Sequence, residues 1–149
     1  MGAEPVGFEA LNIARIEAGL LFFGQDMTGN ETPTELGLNF TVDCNNHNFR
    51  GKSAFLENRK KPKIKTVGIL ISPPSLLRGN EQLLIDGKVN GLIRSFARSE
   101  WLNKTIAIAH VESRYAIEGQ EFSVFENNLS TRKKIVAKIC SRRFYNQLM

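Results

Sequence analysis

Apolar residues in the first part of the chain fall at helical spacing: Phe8, Leu11, Ile13, Ala14, Ile16, Ala18, Leu20 and Leu21 crowd one side of residues 8–21, with Gly19 and Gly24 near the end. This pattern predicts a helix. Residues 25–35 are rich in Asp, Thr, Gly and Asn and include Thr32-Pro33, which reads as loop. Apolar and small or polar residues alternate over 36–42, predicting a short strand, and 43–48 is a polar turn. A second, shorter helix is expected over 51–59, with Ala54, Phe55 and Leu56 inward. From 64 onward the pattern changes to period two. Strands are expected at 64–72, 82–85, 88–95, 105–111, 121–125 and 129–140, with Asp86-Gly87 the clearest two-residue hairpin turn and Asn127-Asn128 a weaker one. Six such strands predict a small closed or nearly closed antiparallel barrel, because closure removes exposed edges. The fold class is therefore α+β, mainly β: an N-terminal helix and loop, then a six-stranded barrel, with the chain dividing into 1–60 and 61–149.

Composition narrows the function classes. With 149 residues and 42% apolar side chains, the chain is long enough for its own core and too apolar for a disordered segment. Its two cysteines, Cys44 and Cys140, fit no CxxC spacing and no ligand cluster, so reduced thiols and no metal site are expected. The longest apolar run, around Leu20 and Phe23, is far shorter than a membrane span, and the N-terminus lacks the basic flank and apolar stretch of a secretory signal, so a cytoplasmic protein is expected. A net charge of +5 raises nucleic acid as a partner. The basic residues sit in short runs, Arg59-Lys60-Lys61-Pro62-Lys63, Arg132-Lys133-Lys134 and Arg142-Arg143. The aromatics Trp101, Tyr115 and Tyr145 are scattered rather than interleaved with them, so a nucleic-acid-binding barrel is the second reading.

The order of motifs carries more. Arg15-Ile16-Glu17-Ala18-Gly19-Leu20, Phe23-Gly24-Gln25-Asp26, Thr32-Pro33-x-Glu35-x-Gly37-Leu38 and Phe49-x-Gly51-Lys52-x-Ala54 are followed by Val67-Gly68-Ile69, Asp86-Gly87-Lys88-Val89-x-Gly91 and Leu102-x-Lys104-x-Ile106-Ala107-Ile108-Ala109-x-Val111. Together they resemble the C-terminal portion of the glycine cleavage T-protein family, the aminomethyltransferases. The resemblance implies tetrahydrofolate-dependent one-carbon transfer, with this chain supplying the last helix and loop of the folate region (1–60) and the terminal barrel (61–149). It also implies that the aspartate orienting the folate nitrogen lies outside this segment, so no catalytic residue is assigned here. A folate-binding domain or subunit in trans, or self-association through the first helix, would then cover an apolar face of that helix. Where the glycine-cleavage branch has Ala-Arg-Asp, this chain has Ala10-Leu11-Asn12, closer to the sarcosine and dimethylglycine branch. Leucine offers no charge-assisted hydrogen bond to a ligand. The resemblance places Leu20, in a lip with Phe22 and Phe23, and Tyr145 beside the folate.

Single residues read more plainly. Glu17 is expected to bond a nearby backbone group or an arginine, and Asp26, Glu31 and Glu35 to cap or solvate the loop rather than act in acid–base chemistry. His47 is expected in water and His110 as a hydrogen-bonded strand histidine. Ser95 ends the expected strand 88–95, and the resemblance implies that Ser95 and Ser99 lie in a stretch the family uses for a turn between barrel strands; no nucleophile elbow surrounds them.

Overall fold

The computed structural model describes residues 2–45, 47–127 and 132–145, with the backbone alone at 126, 127, 132 and 133. Helix α1 (Phe8–Glu17) is followed by turns, a 3-10 segment at Asn39–Thr41 and helix α2 (Lys52–Lys60). Six strands come next: β1 (Ile64–Ile71), β2 (Gln82–Ile85), β3 (Lys88–Ser99), β4 (Lys104–Glu112), β5 (Glu121–Asn127) and β6 (Arg132–Cys140). They close into an antiparallel barrel in the order β1-β4-β3-β2-β5-β6. The expected barrel and both helices are present, so the chain is α+β and mainly β.

α1 stops at Glu17, four residues before the periodic pattern does. The reason is local: Gly19 takes a left-handed φ of +72°, and the N–H groups of Gly19 and Leu20 turn back to the carbonyls of Ile16 and Arg15 at 2.8 Å each. That is the geometry of a glycine-terminated helix end. The strand expected over 36–42 does not form. Leu36 and Leu38 donate their N–H groups back to Thr32 and Pro33, and Asn39–Thr41 winds as a 3-10 turn, so the backbone groups a strand needs are already used. At Asp86-Gly87 the φ values are +50° and +75°, as a two-residue hairpin turn requires. Asn127 ends β5; Asn128 and residues 129–131 lie outside the described residues.

The barrel interior is filled by Ile69, Ile71, Leu83, Ile93, Ala107, Ala109, Val111, Phe122, Val124 and Ala137, together with neighbours from every strand. β4 is buried on both faces. Ile106 and Ile108 point outward, yet they are covered with Ile16 of α1, Ala97, Cys140 and Phe144 in a second apolar cluster. α1 therefore lies on the outer face of β3 and β4. β3 changes sides to meet it. Register shifts between Ile93 and Ser95, leaving Arg94 as the extra residue of a bulge, after which Ser95, Ala97 and Ser99 face the helix and loop instead of the interior. Ser95, the last residue of the expected strand, and Ser99 are both strand residues rather than parts of a turn: the alternation that predicts the strand breaks at the bulge, and the strand continues past it.

Candidate functional site

Two acids of the N-terminal segment reach across to β3. Glu17 accepts from Ser99 Oγ at 2.6 Å and from the Tyr145 hydroxyl at 3.3 Å, so its partners are hydroxyls rather than a backbone group or an arginine. Asp26 is fully buried and is neither a cap nor solvated. It pairs with Arg15, accepts from Ser95 Oγ and also accepts from the Phe22 N–H at 2.8 Å. These three donors satisfy the buried carboxylate and hold the loop to the barrel.

Glu31 does cap its loop, accepting from the N–H groups of Thr28 and Gly29 and from the Thr28 hydroxyl. Partial burial works against its charge, but these donors outweigh it and take the carboxyl down to about 2. Glu35 caps Thr32 and accepts from the Lys63 N–H. Burial opposes its ionisation too, and the same kind of donors lower its pKa below the usual carboxylate range. Neither carboxyl is tuned for proton transfer near neutral pH.

His110 is on β4 and buried beneath the loop, a strand histidine with a backbone hydrogen bond at Asp26. Its Nδ1 is 4.0 Å from Glu31, beyond hydrogen-bond reach, and its Nε2 is buried without a partner among the described residues. Burial, with Arg94 adding to it, lowers its pKa, against the opposing charge of Glu31 and a backbone bond and the charge at Asp26. His47 is exposed. The Cys140 thiol is pushed up to about 12 by burial, with Glu118 adding to it, so it is a poor nucleophile. Both cysteines are free, and among the described residues no group of three His, Cys, Asp or Glu side chains is placed to hold a metal.

Beside this polar seam lies a pocket of about 220 Å³ lined by Phe8, Leu11, Asn12, Arg15, Leu20, Leu21, Phe22 and Gln25. Leu20 is on its rim and 61% exposed. Tyr145 is not part of it. The Tyr145 ring packs against Trp101 at 5.4 Å, and its hydroxyl, raised in pKa by burial and by Glu17, points to that carboxylate. The two residues expected beside the folate are therefore on different sides of α1's end. Sequence reasoning missed Arg15 and Gln25. The signal was present in the Arg15 and Asp26 motifs, but nothing in their spacing said that the two side chains meet.

The pocket opens onto an unpartnered apolar surface. Phe8, Leu11, Leu20, Phe22 and Phe23 are all exposed. A cluster of exposed apolar side chains of this kind marks a contact surface. The third basic run does not extend an outward basic face: Arg142 turns inward and donates from Nη1 to the Leu36 carbonyl at 2.7 Å. Among the described residues, no helix is long and apolar enough to cross a membrane.

Comparison with known proteins agrees with this arrangement. Aminomethyltransferases from two Clostridium botulinum strains (Kyoto and Loch Maree) are 33% and 34% identical over 98% of this chain, which covers 39% of each. One from Listeria welshimeri is 32% identical over 98% of the chain and 40% of the relative. The chain thus spans about two fifths of the length of these relatives. The crystal structure of glycine cleavage system aminomethyltransferase T from Bartonella henselae superposes with a TM-score of 0.81 at 27% identity, over 91% of this chain and 38% of that one. Residues 1–46 match the GCVT N-terminal domain. Residues 65–146, more than half of the chain, match the glycine cleavage T-protein C-terminal barrel domain, and the chain belongs to that family.

Proposed function

We propose that this chain forms the C-terminal wall of a tetrahydrofolate-dependent one-carbon transferase of the aminomethyltransferase type, inactive without the folate-binding region that makes the rest of the cavity. The observation that carries this reading is the apolar lip of Phe8, Leu11, Leu20 and Phe22 around a small pocket with no acidic residue in its lining. A pocket of about 220 Å³ is below the roughly 300–1,000 Å³ of a complete small-molecule site, so it takes part of a folate and leaves the remainder to another surface. Asp26 is committed to Arg15 and Ser95 rather than turned into the pocket. In this reading 1–60 completes a folate region and 61–149 is the barrel that closes it. The partner is a folate-binding domain, in the same chain or in trans, and self-association through α1 is the fallback of the isolated chain. Ala10-Leu11-Asn12 supports a chain closer to the sarcosine and dimethylglycine branch than to glycine cleavage proper.

The test is a chimera in which this chain replaces the corresponding two fifths of the Clostridium botulinum aminomethyltransferase. The expected result is tetrahydrofolate-dependent one-carbon transfer, faster with a methylated amine donor than with the glycine-derived aminomethyl group. A folded chimera that binds no tetrahydrofolate would overturn the reading.

A further inference from the structure

The guanidinium of Arg15 fixes the direction of two amide side chains. Its Nε donates to Asn12 Oδ1 at 2.9 Å, its Nη2 donates to Gln25 Oε1 at 2.8 Å, and its Nη1 bonds Asp26. Arginine has donors and no acceptor, so each amide must turn its oxygen to Arg15 and its NH₂ group away. Neither amide nitrogen donates to any acceptor among the described residues, and both residues line the same pocket. Beside Arg15, the remaining walls are apolar: Phe8, Leu11, Leu20, Leu21 and Phe22.

We propose that Asn12 and Gln25 are a paired donor site, oriented by Arg15, which selects an aromatic ring bearing an oxygen acceptor, a carbonyl or a carboxylate, over a cationic one that offers no acceptor. The apolar walls take the ring and the two NH₂ groups take the oxygen. The charge of Arg15 is matched by Asp26, so the donor pair is neutral and does not require a counter-ion. Selectivity follows from the two donors: a group that can accept satisfies both, whereas one that cannot accept gains nothing from them. This inference rests on the reading of the pocket as part of a ligand cavity and names what that part recognises.

The test uses the 149-residue chain itself, labelled with ¹⁵N and titrated with benzamide, benzoate and benzylamine. The side-chain NH₂ resonances of Asn12 and Gln25 report binding directly. Benzamide, benzoate or both are expected to shift them saturably, while benzylamine does not; which of the two binds tells a carbonyl source from a carboxylate one. Asn12→Asp and Gln25→Glu keep an oxygen for Arg15 but remove the donor, so each variant should weaken acceptor binding about tenfold and turn the preference towards benzylamine. Resonances that stay still with all three compounds, or shift equally with all three, would overturn the proposal. So would an Asn12→Asp variant of unchanged melting temperature that binds benzamide as before. These fragments probe the isolated chain, so failure here is separable from failure of the chimera to bind tetrahydrofolate.

Discussion

Asp26 is the residue on which the attachment of the N-terminal segment turns. It is fully buried and joins Arg15 of α1, Ser95 of β3 and the Phe22 N–H. Removing one partner of a buried ion pair strands the other, so Asp26→Ala should cost about 3–5 kcal/mol in urea denaturation. His110 makes a separate, pH-dependent contribution. Its pKa in the folded chain lies below the ordinary 6.5, so the unfolded chain binds the proton more readily, and stability falls as the pH drops below that value. Glu31 works in the same direction at lower pH: with a folded value of about 2, it contributes stability above about 4.5 that is lost as the pH falls towards 2. His110→Gln should flatten the stability curve between pH 7 and 5 and leave the acid limb in place, as read from denaturation midpoints across the pH range. The sequence shows these acids but not their partners. Asp26 and Ser95 are 69 positions apart, and only a bulge at Arg94 turns the serine towards the carboxylate.

Elements were legible where one periodicity governed them. β2 and the Asp86-Gly87 turn follow directly from alternation and from the tolerance of that pair for positive φ. β3 was shortened in the sequence reading because the bulge reverses its inward and outward positions midway. The apolar alternation over 36–42 gave a false strand, since folding back on Thr32 and Pro33 competes with extension there. The end of α1 depends on Gly19 for two reasons: its φ of +72°, and a Cβ that would stand 2.5 Å from the carbonyl oxygen of Arg142. Backbone cannot yield as a flexible side-chain tip can. Gly19→Ala should therefore destabilise the chain by more than about 1 kcal/mol, measured by chemical denaturation, although alanine is the better helix former.

At the scale of the whole molecule, the barrel has a closed interior while α1 and the following turn keep an apolar lip in water. The closed barrel was legible because six alternating segments with turn signals have few other ways to hide their edges. The pocket was not, because it depends on Arg15, Asn12 and Gln25 meeting across the end of a helix. The isolated chain should self-associate through the lip. Leu20→Asp with Phe22→Asp should shift its sedimentation towards the monomer without lowering the melting temperature, since both side chains are already exposed. The most direct measurement of the central claim is calorimetric titration of the chain alone with tetrahydrofolate. The account predicts no saturable binding tighter than about 1 mM, because one wall offers too little of the cavity. Stoichiometric micromolar binding by the 149-residue chain on its own would contradict it.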